Sequence, residues 1–192
     1  MYQTLHQLDI TTFKLINYLP HDPVLDLFAI FIHLLTLTGF IFFVLSIYWW
    51  FILPKKEKYL PILAILLWFV TFCVNFFIFK PIFHRIRPPL KIEHTITIGV
   101  IPDSNAFPSG QAATTLAYAI PFLIFSQNKK VKWGLTALAL LTGLDRAYMG
   151  HHYPFDVIAG YISGILISCI GSFIWYKYLR YKFGNKPKFK FW

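Results

Sequence analysis

The stretch YLPILAILLWFVTFCVNFFIFKPIFHRIRPP, residues 59–89, decides the fold. Its first part, Tyr59 to Phe79, carries no charge and is long enough as a helix, at a rise of about 1.5 Å per residue, to cross about 30 Å of hydrocarbon. Three cations then arrive at once, Lys80, Arg85 and Arg87, with prolines that end the helix. The boundary between apolar run and charged segment is the signature of a chain leaving a membrane.

Working outward, four further apolar runs follow the same logic. Leu27 to Leu53 is one, with Thr38-Gly39 as a kink site; Ser109 to Phe125 is the next; Val131 to Leu144, continuing toward Met149, follows; Pro154 to Leu179 is the last. The Ser109 and Val131 runs are short and hold Thr114, Thr115, Ala137, Ala139 and Thr142, as expected of helices packed inside a bundle. The expectation is an all-α polytopic bundle of five spans, or six if the first run breaks at Gly39. Residues 1–192 form a single domain in this reading, with a core at about 59–179. Met1 to Asn17 interleaves Leu5, Leu8, Phe13, Leu15 and Ile16 with polar residues, which is the pattern of an amphipathic helix lying in the interface and not of a signal peptide.

The chain is 57% hydrophobic and 14% charged, well below the roughly 25% charged of soluble domains. Its net charge of +10 does not point to nucleic acid, because the basic residues cluster at the ends of apolar runs. Cys73 and Cys169 lie inside apolar runs and suggest neither metal ligation nor a disulfide framework. Lys55, Lys56 and Lys58, then Lys129, Lys130 and Lys132, then Lys177 to Lys190 in the tail fall on one side of a five-span chain. The positive-inside rule makes that side cytoplasmic, so the polar chemistry faces the periplasm or cell exterior across the cytoplasmic (inner) membrane.

Three polar clusters share that outer side. They are Lys80 with Arg87-Pro88 after six intervening residues; Pro108-Ser109-Gly110-Gln111 opening a helix; and Arg146, five residues, His152, three residues, Asp156. Lys80, Arg87 and Arg146 can neutralise phosphate oxygens, the arginines in bidentate fashion. Ser109 and the amides at Gly110 sit at a helix N-terminus, which attracts anions. His152 is the candidate nucleophile, with Asp156 spaced to hold its other nitrogen; His151 reads as its neighbour. Each residue alone has a plainer explanation. Lys80 could be an interfacial anchor, Ser109-Gly110 a mere helix start, and His33 a packed histidine. His84, Arg85 and Lys91 are expected to be interfacial anchors or headgroup contacts. Joint occurrence of the three clusters lifts Lys80, Arg87, Ser109, Arg146, His152 and Asp156 above these alternatives, whereas His33 stays a packed, hydrogen-bonded histidine.

The clusters resemble the signature of the type 2 phosphatidic acid phosphatase superfamily. The resemblance implies a helical bundle in which a histidine attacks phosphorus, forms a phosphohistidine and releases a dephosphorylated lipid, with no metal or other cofactor. It implies a membrane lipid phosphate as partner, the candidates being undecaprenyl diphosphate, the 1-phosphate of lipid A, phosphatidylglycerol phosphate and phosphatidic acid; no protein partner follows. Two positions depart from the pattern. The family has a histidine that protonates the leaving oxygen where this chain has Gln111, read either as native or as an introduced substitution that traps a bound state. Without that acid a diphosphate, whose leaving phosphate has a second pKa of about 6, should suffer less than an alkoxide ester. Asp145 stands where a small residue is usual and is expected to turn away from phosphate or pair with an arginine. The rival readings are a lipid-to-lipid phosphotransferase and a catalytically weakened phosphate-lipid binding protein. The short outer segment Lys80 to Pro108 suggests a shallow pocket open toward the bilayer.

Overall fold

The computed structural model describes residues 2–37 and 39–183; Met1, Thr38 and residues 184–192, with tail residues Lys186, Lys188 and Lys190, lie outside that range. The described residues form helices and connecting loops without strands: α1 (Tyr2–Asn17), α2 (Pro23–Leu37), α3 (Phe40–Ile52), α4 (Tyr59–Val74), α5 (Lys80–Ile82), α6 (Gly110–Phe125), α7 (Lys129–Tyr148) and α8 (Pro154–Phe183). A π-helical turn, Asn75–Phe79, joins α4 to α5, so that residues 55–82 form one apolar helix long enough to cross a membrane. Pro154–Leu179 is the second such helix. The first apolar run is broken into α2 and α3, which meet at 74°. Gly39 stands at the break with φ +69°, a conformation that costs other L-residues about 1–2 kcal/mol. A Cβ there would lie 2.1 Å from the Trp68 ring, so glycine is also required for the close approach of the break to α4.

Helix α6 is the hub, packed against α4, α7 and α8. Small residues allow this. Ala112, Ala113, Ala117 and Ala119 are buried, and Gly160 and Gly164 of α8 seat against the backbone oxygens of Ser109 and Ala113. Between lipid-facing helices no hydrophobic drive for association exists, so such close packing and interhelical hydrogen bonds carry the stability. Pro121, inside α6, has no N–H to give to the Ala117 carbonyl; Ser168 Oγ from α8 donates to it instead at 3.0 Å.

The two ends of the bundle differ in character. At one end buried Glu57 accepts from Ser126 Oγ at 2.7 Å and from Gln127 N at 3.3 Å, tying the Lys55–Lys58 connection to the one before α7. Asn128 caps α7 there by accepting from Lys130 N and Val131 N. At the other end α1 packs on α7 and α8. Its Asp9, Phe13 and Asn17, spaced four apart on one face, are buried, whereas Leu5, Leu8 and Leu15 are exposed. That inversion suits an interfacial helix whose apolar face meets lipid.

Candidate active site

Asp156 lies in the first turn of α8, which starts with Pro154, a residue suited to a helix start. Its Oδ2 reaches back to accept from Tyr153 N at 2.9 Å, the carboxylate half of a capping box. The backbone oxygen of Asp156 accepts from Ser109 N at 2.9 Å, which joins the starts of α6 and α8. His152 precedes this turn, its amide anchored on the Arg146 carbonyl at 3.1 Å. Its Nδ1 lies 3.7 Å from Asp156 Oδ2, an ion-pair distance that is longer than a hydrogen bond.

Arg87 Nη1 donates to His152 Nε2 at 3.2 Å and to the His151 carbonyl at 2.8 Å. Because guanidinium only donates, Nε2 carries the lone pair and Nδ1 the proton that faces Asp156. Ser104 holds the rest of Arg87, its carbonyl accepting from Nε at 2.8 Å and its Oγ from Nη2 at 3.1 Å. Burial, and then Arg146, push the Arg87 pKa down to about 10 despite the pull of Asp156, which leaves it cationic at neutral pH. Lys80 follows the π turn and donates to the Asn105 carbonyl.

Arg146 is buried. Its Nη1 donates to Gln111 Oε1 at 2.6 Å and to His151 Nδ1 at 3.2 Å, while Nε and Nη2 bond the Asp145 carboxylate. Asp145 thus pairs with an arginine and offsets its charge. Gln111 in turn donates to Thr36 Oγ1 at 3.0 Å and to the His33 carbonyl at 3.3 Å, both on α2.

The two adjacent histidines are distinguished by these bonds. His151 accepts on Nδ1 from Arg146 and donates on Nε2 to the Ile98 carbonyl at 3.0 Å, so both nitrogens are committed. Burial, with Arg146, lowers its pKa to about 3. His152 is also held neutral: burial lowers its pKa to about 4, with the Arg87 and Lys80 cations adding to burial and Asp156 opposing. Only His152 offers a nitrogen that a carboxylate supports from behind.

Lys80, Arg87, Gly110, Gln111, Arg146 and His152 line one cavity of about 360 Å³. Asp156 stands behind His152. Ser109 does not line the cavity; its Oγ is buried without a hydrogen-bond partner. The cavity wall also includes apolar Leu37, Trp68, Phe72 and Phe76, the last three rings stacked in a row along α4 and the π turn that follows it. The outer segment contributes to this pocket: residues 96–106 are tied by hydrogen bonds to Asn17, Met149, His151, Arg87 and Lys80, and Pro102 and Ser104 form part of the cavity wall.

Sequence reasoning assigned Arg85 to the interface and gave Asp9 no role. Arg85 instead bonds both Asp9 and Asp156. The signal for Asp9 was its place on the Phe13 and Asn17 face of α1. His33, read as a packed histidine, stands edge-on to His151 with ring centroids 5.5 Å apart, its Nδ1 unpartnered.

Comparison with known proteins places the chain in a family. The model of the PAP2 superfamily matches residues 62–182. The undecaprenyl-diphosphatase BcrC of Bacillus subtilis is 32% identical over 160 residues, spanning 81% of this chain and 78% of its own length. A lipid A 4'-phosphatase of Porphyromonas gingivalis is 30% identical over 132 residues, covering 66% of this chain and 54% of that protein. The crystal structure of Aquifex aeolicus LpxE is similar with a TM-score of 0.70 and 32% identity, over 85% of this chain and 94% of the other.

Proposed function

The chain belongs to the PAP2 superfamily, and from that premise we propose that it removes the terminal phosphate of a single-tailed lipid diphosphate, through a phosphohistidine on His152, at the outer face of the cytoplasmic membrane. Two relatives are named an undecaprenyl-diphosphatase and a lipid A 4'-phosphatase, and two helices of this chain are long and apolar enough to cross a membrane. The reading takes residues 1–192 as one unit crossing the membrane five times, with the broken α2–α3 run counted once and α1 in the interface. The basic connections then face the cytoplasm and the cavity faces outward.

The observation that carries the proposal is the His152 ring, with its Nε2 lone pair beside Arg87 and its Nδ1 proton toward Asp156. Phosphoryl transfer asks mainly for positioning and for charge stabilisation at the equatorial oxygens. On substrate binding Arg87 Nη1 turns from Nε2 to a phosphate oxygen, which frees the lone pair. Lys80 and Arg146 neutralise the remaining oxygens. Nε2 attacks the terminal phosphorus, the N–P bond forms, and the bond to the bridging oxygen breaks, releasing the lipid monophosphate. Nδ1 keeps its proton, and the Asp156 carboxylate beside it stabilises the cationic ring. Water then attacks the phosphohistidine, and orthophosphate leaves with the imidazole restored. The residues supply this chemistry without a metal ion.

Two features favour a diphosphate. Gln111 hydrogen-bonds but cannot protonate an alkoxide, whereas a departing phosphate with a pKa of about 6 needs no proton at neutral pH. The cavity, about 360 Å³, lies near the small end of ligand sites and is lined in part by Leu37, Trp68, Phe72 and Phe76, which suits a narrow headgroup on one chain better than a disaccharide. Undecaprenyl diphosphate, the substrate named for the Bacillus subtilis relative, has that form.

The test is phosphate release in lipid nanodiscs from undecaprenyl diphosphate, a lipid A 1-phosphate, phosphatidylglycerol phosphate and phosphatidic acid. The diphosphate should turn over fastest, and His152→Ala should abolish release while the thermal unfolding midpoint is retained. Release that persists in the folded variant overturns the nucleophile assignment. Release that appears only when an acceptor lipid is added assigns a phosphotransferase instead.

A further inference from the structure

Asp9 and Arg85 have no part in the chemistry above, yet they meet directly behind it. Arg85 Nη1 donates to Asp156 Oδ1 at 2.6 Å, and its Nη2 bonds Asp9 Oδ2. Its guanidinium also lies 4.1 Å from the centroid of the Tyr153 ring. Asp9 is 1% exposed, and its Oδ1 accepts from Phe155 N at 2.9 Å. Burying a carboxylate this deeply is costly unless it is paired and hydrogen-bonded, so Asp9 answers a specific requirement.

The requirement is legible at Asp156. Its Oδ2 must serve the backbone of Tyr153 and the ring of His152 together, which is possible only in a narrow range of carboxylate orientations. Arg85 holds the other oxygen, Oδ1, and prevents rotation about the last side-chain bond. Asp9 in turn stops Arg85 from swinging away, and it grips the same α8 turn through Phe155. Burial opposes the Arg85 charge, but Asp156 and Asp9 outweigh it and hold the guanidinium protonated beyond its usual range.

We propose that Arg85 and Asp9 are positioning residues that aim the Asp156 carboxylate at His152 Nδ1, which makes helix α1 part of the catalytic apparatus. Helix α1 lies outside the segment matched by the family model, residues 62–182. The inference rests on the reading of His152 as the nucleophile.

The clamp has an electrostatic consequence of definite sign. His152 faces Arg87 and Lys80 from the α4–α5 side, His151 from its own loop and Asp156 from α8. Asp156 faces Arg85, Arg87, Lys80 and Tyr153. Removing the Arg85 cation leaves the Asp156 charge less compensated, which favours the His152 imidazolium. The acid limb of kcat then moves to higher pH. Asp9→Asn keeps an acceptor for Arg85 and Phe155 N but takes a negative charge from behind Asp156, which disfavours the imidazolium, and the limb moves to lower pH.

The experiment uses the full chain in nanodiscs with farnesyl diphosphate as substrate. Arg85→Gln and Asp9→Asn are compared with the conservative Arg85→Lys and Asp9→Glu, and thermal unfolding midpoints are recorded for all. Arg85→Gln should lower kcat about 10- to 100-fold with KM changed less than about threefold. Arg85→Lys should recover part of the loss, and the two charge-removing variants should shift the acid limb in opposite directions. A rise in KM with kcat unchanged makes Arg85 a substrate ligand and overturns the proposal. So does a fall in kcat with no shift of the limb in either variant, which is the mark of a purely structural role. Orthovanadate affinity, read from tryptophan fluorescence, needs attack by the imidazole but no turnover. A parent protein that binds vanadate and releases no phosphate from any lipid refutes the functional reading, while vanadate affinity weakened in Arg85→Gln still supports the clamp. A parent protein that does not bind vanadate and does not turn over overturns both.

Discussion

Gln111→His places a proton donor where the leaving oxygen departs, and the structure allows its effect to be estimated. The Gln111 carboxamide accepts from Arg146 Nη1 at 2.6 Å and donates to Thr36 Oγ1 at 3.0 Å. A neutral imidazole can keep both contacts, one nitrogen accepting and the other donating. The protonated ring that catalysis requires must give up the bond from Arg146, at a cost of about 1.5–3 kcal/mol for a bond to a charged group. General acid catalysis contributes about 10²- to 10⁴-fold, or about 2.7–5.4 kcal/mol at 1.36 kcal/mol per tenfold. Taking mid-range values, about 4 kcal/mol gained against about 2.2 kcal/mol lost, the net is about 1.8 kcal/mol, so hydrolysis of a monophosphate ester such as phosphatidic acid should accelerate about 20-fold. Farnesyl diphosphate, whose leaving phosphate departs unprotonated, should change less than about threefold. The assay is kcat/KM for both substrates on both proteins, with unfolding midpoints to confirm that the variant folds. Equal acceleration on the two substrates, or none on the ester, refutes the leaving-group argument.

Three further outcomes follow from the same geometry. Because burial first, and Arg87 and Lys80 with it, lowers the His152 pKa to about 4, the nucleophile is neutral above that value. The kcat/KM profile, corrected for ionisation of the substrate, should therefore stay flat down to about pH 5 and fall as pH drops through about 4; a limb near the ordinary histidine value of about 6.5 contradicts it. Gly39→Ala adds a Cβ 2.1 Å from Trp68 at φ +69° and should lower the unfolding midpoint by several degrees, given a backbone cost of about 1–2 kcal/mol before any clash; an unchanged midpoint shows that the break adapts freely. Treatment with a chelator should leave phosphate release intact, and a loss restored by a divalent ion contradicts the metal-free route.

Much of the bundle can be read from the chain because charge is costly in hydrocarbon, so the places where charges interrupt apolar runs are few and informative. Lys80, Arg87, Arg146 and His152 stood out on that ground, and they line a common cavity. The 74° angle between α2 and α3 was not legible, since Gly39 marks a break without its direction. Nor was the division of labour between Arg85 and Arg87. They are separated by one residue in a non-helical segment, and only the packing of α1 and α8 sends one guanidinium to His152 and the other to Asp156.

Asp9 shows why such residues escape a sequence reading. On a helix in water, Leu5, Leu8 and Leu15 would be taken for the buried face and Asp9 for the solvated one. In an interface the apolar face turns to lipid, and the polar face is free to enter the protein. The same substitution of solvent inverts the meaning of the pattern, so a lone carboxylate on the inward face beside Phe13 points to a buried partner. That partner is Arg85, and through it the helix with the least distinctive sequence reaches the carboxylate on which His152 depends.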